Sequence, residues 1–555
     1  MSTSGEEIGR TSSTAREPST TEKFFFWVRP NIRINPFDFV AVQLDDGSSI
    51  VGQVDEISNY TDAESHLGNY IGSSLEGPSR IERLQAVIVE ATVLANLRKD
   101  GAAELLMPVP SDRPVRFAND EEVSKALGYD RVLGERIPAG LIEQSNGKEY
   151  VVYLDSHYII GPEGAHVNIT GISGLATKTS YAMFLINSIY QKLGGDLAVV
   201  IFNVKHSDLL HIDEDPDDLT ESDHDMYIKL NLNPEPFPSG KVTYYLPRGK
   251  AGEPDSDNPP QKHELYAYTL RDAYENLDLL LADVPDPNGT IGAFTSYVRD
   301  KWEDDKIKFG KETASNWDDL LKISDAAISY AVYNTSGHQT PPRVKREIRR
   351  RKDSAGIFVD GRGVDSRGSK EVYLGERIVE DIKERKISVI DIYRIHTIVQ
   401  PFIVGDVMRS IENGYRNGEF EGLKGLIIFI DELNTFAPDS SSPNAIAEDI
   451  IEIARKGRGR RTALFGVQQF KSQVHPQVWG NCSLHVIGKV GSAELSTTSY
   501  RELSQHAKNT VMGLRQGEVL LSFSTWRSPI KVVFPKPAYK RFKPEETHTP
   551  LDNSA

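Results

Sequence analysis

From about Tyr150 onward the chain is punctuated by short apolar runs that leave little room for a solvated face. DLAVVIFNV, KISVIDIYRI and KGLIIFIDEL are each of strand length, RTALFGVQQF and CSLHVIGKV continue the series, and helical patterns lie nearby. A strand apolar at almost every position must be covered on both faces, and strands alternating with helices achieve this as a parallel sheet. The sequence therefore predicts an α/β core, with HVNITG as its first short buried strand. Upstream, FDFVAVQL, SIVGQVDEI, RLQAVIVEATVLANL and ELLMPVP are apolar or alternating runs separated by Gly, Asp, Asn and Ser, the spacing of a small antiparallel barrel. PVRFANDEEVSKALG then reads as a strand end followed by a helix, capped by Asn119 or Asp120 with acids in its first turn. Between about Asp208 and Lys386 the rhythm breaks: an acidic loop, a Pro/Gly-rich stretch and helical patterning read as an insertion.

Charge narrows the function classes. A net charge of -16 argues against a protein coated in DNA-binding surface, though not against basic groups gathered in one place. The charge is segregated: Asp213 to Asp225 carries eight acidic side chains, and Arg343 to Lys352 carries seven Lys or Arg. The basic block suits either a DNA-gripping pore loop or a solvated face of the insertion. With Cys482 as the one cysteine, no disulfide is possible within a chain, which fits a reducing cytoplasm. No apolar run reaches the roughly 18–20 residues that span a bilayer, so no membrane association is expected. Residues 1–23, rich in Ser, Thr and Glu, read as a disordered tail. His157, His166, His206 and His211 form no metal-ligand pattern, and His206 with Asp208 reads as surface loop.

The chemistry concentrates in two places. GISGLATKTS, Gly171 to Ser180, lies between a predicted strand and a predicted helix, where backbone N–H groups can cradle phosphates at a helix N-terminus. Gly171, Gly174, Ala176, Thr177 and Ser180 would form that cradle. Lys178 would meet the terminal phosphates of ATP, and Thr179 would offer its hydroxyl to Mg²⁺. The spacing is irregular: counting back from Lys178 puts Thr177 and Ile172 where glycines normally sit, and from Gly171 the loop is one residue too long. A phosphate loop and a purely structural strand–turn–helix are both open on this segment. The second place is KGLIIFIDELNTFAP, where an apolar strand delivers Asp431 and Glu432 at its end. Asp431 would hold the Mg²⁺ shell and Glu432 would polarise the attacking water. Downstream, ARKGRGRRTALFGVQQF joins a basic helix end to a buried strand closed by Gln468 and Gln469. An amide there could sense the terminal phosphate, and Arg455, Arg458, Arg460 and Arg461 include candidates for a finger reaching a neighbouring subunit.

In this order, and with IIGPEGAHVNITGISGLATKTS, VVIFNVKHSDLL, GLIIFIDELNTFAP and ARKGRGRRTALFGVQQFKSQVHPQVWGNCSLHVIGKV as its most informative pieces, the chain resembles the HerA family within the FtsK/HerA branch of P-loop ATPases over roughly residues 35–535. The resemblance implies a RecA-like ATPase core with a helical insertion, an N-terminal β-barrel that docks a partner, and a hexameric ring around double-stranded DNA. It implies a partner nuclease, such as a NurA-like enzyme, or another effector, in DNA end processing or anti-phage defence. Lys178 and Thr179 correspond to the Walker A pair, Asp431 and Glu432 to Walker B, Gln469 to the sensor, and Arg455 and Arg458 to the helix end at the subunit boundary. The expected domains are a barrel over 24–125, a core over 126–207 and 387–537, a largely helical subdomain over 208–386 and a tail over 538–555. Two other functions stay in view. One is an ATP-binding oligomeric scaffold that organises an effector without translocating, for which Glu432 would have no use; the other is a conjugation-type motor, which would usually bring a membrane anchor.

Overall fold

The computed structural model describes residues 5–541, except 64, 68–69, 71–83, 100–106, 173–176, 206–208, 338–342, 365–367, 369 and 442–443. The chain divides into two compact units, Met1–Ser156 with Leu484–Pro535, and His157–Ser483 with Lys536–Ala555.

The first unit opens with a closed barrel of β1 (Gly9–Ser12), β2 (Lys23–Val28), β3 (Phe39–Gln43), β4 (Ser49–Thr61), β5 (Gln85–Leu97) and β6 (Pro114–Phe117), in the order β1-β2-β5-β4-β3-β6. Alternation fills it: Phe24, Phe26 and Val28 from β2 and Val40 and Val42 from β3 meet Ile50, Val54, Val89 and Val115 in one core. The barrel begins inside the stretch expected to be a disordered tail. Gly9 pairs with Val28 on one side and Val115 on the other, and Ile8 and Thr11 are buried. A closing strand can be held by backbone hydrogen bonds, so its polar composition hides it. ELLMPVP is not a strand where described: Met107–Pro110 is irregular, since Pro108 and Pro110 lack the N–H that a ladder needs. After β6, helix α1 (Asp120–Ala126) starts at Asn119, whose side chain accepts from Glu122 N while Glu122 returns the bond. Strands β7 (Arg136–Glu143) and β8 (Glu149–Asp155) form an antiparallel pair.

The second unit is α/β. In chain order it holds β9 (Val167–Thr170), α2 (Thr177–Leu193), β10 (Leu197–Asn203), β11 (Val242–Pro247), β12 (Glu264–Tyr266), α3 (Thr290–Lys301), the hairpin β13 (Ile307–Phe309) and β14 (Glu312–Ala314), α4 (Asp325–Ser336), α5 (Arg343–Ser354), α6 (Leu374–Lys383), β15 (Ile387–Asp391), α7 (Gln400–Arg416), β16 (Gly425–Asp431), α8 (Ala445–Arg460) and β17 (Thr462–Gln468). Its strands run in the order β12-β11-β15-β10-β16-β17-β9, every neighbouring pair parallel. Every residue of β10, β16 and β17 is buried, as their unbroken apolar runs require.

Residues 208–386, expected as an inserted, largely helical subdomain, hold several helices and also contribute to the sheet. β11 and β12 extend the parallel sheet, and Phe294, Trp317, Ile328 and Val344 share one core with Phe402 and Val407 of α7 and Ile428 of β16. The acidic stretch is anchored from the chain's far end: Lys540 Nζ meets Glu214 at 2.8 Å, Arg541 pairs with Asp218, and Tyr227 Oη donates to Lys536 O at 2.8 Å. Ala538 and Tyr539 are buried, so a tail starting at 538 is also corrected, while residues 542–555 lie outside the described ones. The remaining strands, β18 (Leu484–Ile487), β19 (Glu518–Phe523) and β20 (Ile530–Val533), are antiparallel and belong to the first unit, where β20 pairs with β7. Residues 126–156 and 484–535, expected within the ATPase core, therefore lie in the unit that holds the barrel.

Candidate active site

Parallel strands end at a common edge, and here that edge gathers the polar residues. The register sets Asn203 beside Asp391, Phe202 beside Ile430, Asp431 beside Val467, and Gln468 beside Thr170. The chain leaves β9 and returns as β10, on the far side of β17 and β16. β17 therefore lies between the strand that enters the phosphate-loop candidate and the strand that carries the two acids. A crevice beyond such a break in strand order is where open α/β sheets bind ligands. This arrangement, with an acid pair one strand removed from a strand–loop–helix unit, is that of a RecA-like P-loop core.

The helix after the loop starts at Thr177, so Lys178 and Thr179 sit in its first turn, where backbone N–H groups have no intrahelical partner. Thr177 and Lys178 are buried, Thr179 and Ser180 half-buried, and Gly171 buried at the end of β9; Gly174 and Ala176 lie outside the described residues. Thr179 Oγ1 donates to Asp431 Oδ2 at 3.2 Å, which ties the helix to the end of β16. Lys205, just beyond β10, donates from Nζ to Asp431 Oδ1 at 3.1 Å and ion-pairs with Glu432. Glu432 takes a left-handed conformation, φ 56° and ψ 46°, uncommon for a residue with a side chain. The turn is seated by Leu433, which packs so closely on β17 that a Cβ at Gly466 would stand 2.3 Å from its Cδ2.

Lys178 and Gln468 are buried polar residues here whose end groups have no hydrogen bond among the described residues. Lys178 is 6% exposed, and its Nζ makes no hydrogen bond among the described residues. Burial pulls its pKa down to about 8, helped by Lys205 and opposed by Asp431 and Glu432. Burial also acts to lower Lys205, but Asp431 and Glu432 outweigh it and its pKa is raised. Gln468, fully buried at the end of β17, likewise makes no hydrogen bond through either amide atom among the described residues. A native fold rarely leaves such groups unpaired without a use for them. Lys178 suits a phosphate oxygen, and Thr179 with Asp431 supplies the hard oxygen ligands that Mg²⁺ prefers when substrate phosphates complete its shell. The residues thus fit ATP with Mg²⁺.

The remaining predicted residues are less tightly gathered. Gln469 follows Gln468 at the rim and is half-buried. Arg455 and Arg458 are exposed on α8, and neither is joined to Asp431 or Glu432 by a hydrogen bond or ion pair among the described residues. Arg460 is held by Glu412 and Arg461 closes the helix with φ 54°. His166 is structural: buried, it accepts from Leu464 N at 2.9 Å, and burial lowers its pKa to about 4. His206 and Asp208 lie outside the described residues. Sequence reasoning missed Lys205. Its signal was position: it stands two residues past a strand that is apolar up to its last residue, Asn203, so in a parallel sheet it reaches the same edge as Asp431.

The chain is similar to several solved structures. These include the plasmid coupling protein TrwB bound to the ATP analogue ADPNP (12% identity, TM-score 0.44, 69% of this chain and 88% of that one) and VirB4 of Thermoanaerobacter pseudethanolicus (12%, 0.43, 72% and 96%). The genome-packaging NTPase B204 of Sulfolobus turreted icosahedral virus 2 is a third (14%, 0.23, 28% and 72%). No family profile and no curated protein sequence matches the chain. Among the described residues, no helix is long and apolar enough to cross a membrane.

Proposed function

We propose that this chain is an ATP-hydrolysing motor of the FtsK/HerA branch that works on double-stranded DNA as a hexameric ring with a partner nuclease or other effector. The observation that carries the ATPase reading is the buried Nζ of Lys178, without a hydrogen bond among the described residues, beside Thr179, Asp431 and Glu432 at one sheet edge. The DNA, the ring and the effector rest on the sequence resemblance.

Each residue then has a task. Lys178 pairs with the terminal phosphates, and the first-turn N–H groups of α2 add to the cradle. Thr179 and Asp431 would hold Mg²⁺, which supplies neutralisation of phosphate charge. Glu432 accepts a proton from the attacking water, so its carboxylate must exchange its bond to Lys205 for one to water. Gln469, with Gln468 beside it, reports the terminal phosphate along β17. Arg455 and Arg458, exposed and without an ion pair among the described residues, reach the nucleotide of a neighbouring copy. Glu432→Gln should keep nucleotide affinity within about threefold and lower turnover by about 10²–10⁴. Fluorescent-ATP binding and phosphate release measure the two; a variant that turns over at the parent rate removes Glu432 from the mechanism.

A further inference from the structure

The ten-residue basic run resolves into two unlike sets of side chains on α5. Val344, Ile348 and Arg351 are buried, and they define the inward face of the helix. Four of the cations are committed there or at its flanks. Arg351 is 0% exposed and pairs with Asp283 and Glu347. Arg343 donates to Pro285 O at 2.7 Å, Lys345 meets Asp325 at 2.9 Å, and Lys352 meets Asp318 at 2.6 Å. The other three, Arg346, Arg349 and Arg350, fall at i, i+3 and i+4 on the opposite, outward face. Arg346 and Arg350 have side chains 76% and 61% exposed, with only long contacts of 4.0 and 3.7 Å to Glu347, and Arg349 is exposed with no ion pair among the described residues. Asp353, a turn further on, is the one acid exposed on that face.

Three arginines stacked within one helical turn repel one another, and folding does not need them, since the inward set already holds the helix. In a chain of net charge -16 such a face is a local exception. Guanidinium groups spaced by one helical turn match successive phosphates of a nucleic-acid backbone, and Arg recognises phosphate bidentately. Tyr330 and Tyr333, one turn apart on α4, are 68% and 52% exposed, and α4 is tied to α5 through Lys345 and Asp325.

We infer that the outward face of α5, formed by Arg346, Arg349 and Arg350, is a contact surface for the phosphate backbone of double-stranded DNA. This deepens the motor reading by giving its polymer a place on the chain. The test uses the full chain with all three arginines changed to Gln. A control of equal charge loss changes the exposed Lys250, Lys262 and Lys311 to Gln. Anisotropy of a labelled duplex, read over a potassium chloride series, and ATP turnover without DNA are measured on each. The arginine variant should bind duplex at least tenfold more weakly at low salt. Its slope of log affinity against log salt should be shallower by about 2–3. DNA-free turnover and the control's affinity should stay at the parent level. Equal affinity and slope in the arginine variant, or an equal loss in the control, overturns the assignment, as does a single-stranded oligonucleotide showing the effect while duplex shows none. A parent that binds duplex through these arginines but hydrolyses no ATP leaves the surface standing and removes the motor.

Discussion

The crossing of α7 with α8 and the first turn of α2 both draw a cation out of water, with opposite results. On α7, Arg409 donates to both carboxylate oxygens of Asp278 at 2.8 and 2.7 Å, to Asp449 of α8 at 2.9 Å and to Asn276 at 3.1 Å. Every guanidinium nitrogen is used, and the pKa is raised: burial works to lower it, and Asp278 and Asp449 override that. The raised value is that of a cation locked in place. Lys178 is more deeply buried, and its Nζ has no hydrogen bond among the described residues. A buried, fully bonded cation organises a fold. A buried cation left without a bond costs stability and is kept where a ligand completes it.

Changing each cation to Met is the most direct way to break this comparison, and Lys178→Met should show the largest effect. Turnover should be lost, by 10²-fold or more on the scale of removing one preorganised charge partner (~10²–10³). The fold should gain about 1–3 kcal/mol in denaturant unfolding at neutral pH, because an uncompensated charge leaves the interior. The sign can be read from pH. Lys178 is held near 8 against an ordinary 10.5, so between those values the unfolded chain carries the extra proton. This group's penalty is full below about pH 8 and fades as pH rises to 10.5, so parent stability should gain on the variant across that window. A Lys178→Met protein that melts earlier than the parent at pH 7 makes Lys178 structural, like Arg409.

Arg409→Met comes next and should run the other way. Two carboxylates and an amide lose their donor, and stability should fall by about 2–3 kcal/mol. The drop is less than for a fully buried pair, because the side chains of Asp278 and Asp449 are 33% and 27% exposed. Nucleotide affinity measured below the unfolding transition should stay within about threefold; a large loss would mean that the α7–α8 junction shapes the site. Gln468→Leu gives the smallest effect. Removing an amide with no hydrogen bond among the described residues should leave thermal stability level or slightly higher, while turnover falls about tenfold if the amide reports the terminal phosphate. Normal turnover in that variant leaves Gln469 as the remaining sensor candidate.

What the sequence revealed followed from burial. Asp431 and Glu432 were legible because the run LIIFI ahead of them must be an interior strand, and such a strand in a parallel sheet has one functional end. Lys178 and Thr179 followed from a strand–loop–helix pattern in which the glycines are displaced but the cation and hydroxyl remain. β1 was illegible because backbone pairing holds it, with Ile8 as the apolar residue that enters the core. β11 and β12 were obscured by their Pro/Gly-rich surroundings, although Tyr244, Tyr245 and Leu246 are buried in the sheet. Lys205 sits in a loop with no motif; its place just past a buried strand was the one sequence signal, and the strand order sets it at the edge it shares with Asp431. Within the basic run, sequence spacing could not separate the inward Arg351 from the outward Arg349 and Arg350; the buried face of α5 does so.

ATP hydrolysis by the purified chain, with and without linear double-stranded DNA and alongside Lys178→Ala, tests the central claim most directly. The account predicts turnover that DNA stimulates and that Lys178→Ala abolishes without unfolding the protein. Turnover indifferent to DNA and to Lys178 would contradict it and leave the edge of β16 as the anchor of a scaffold.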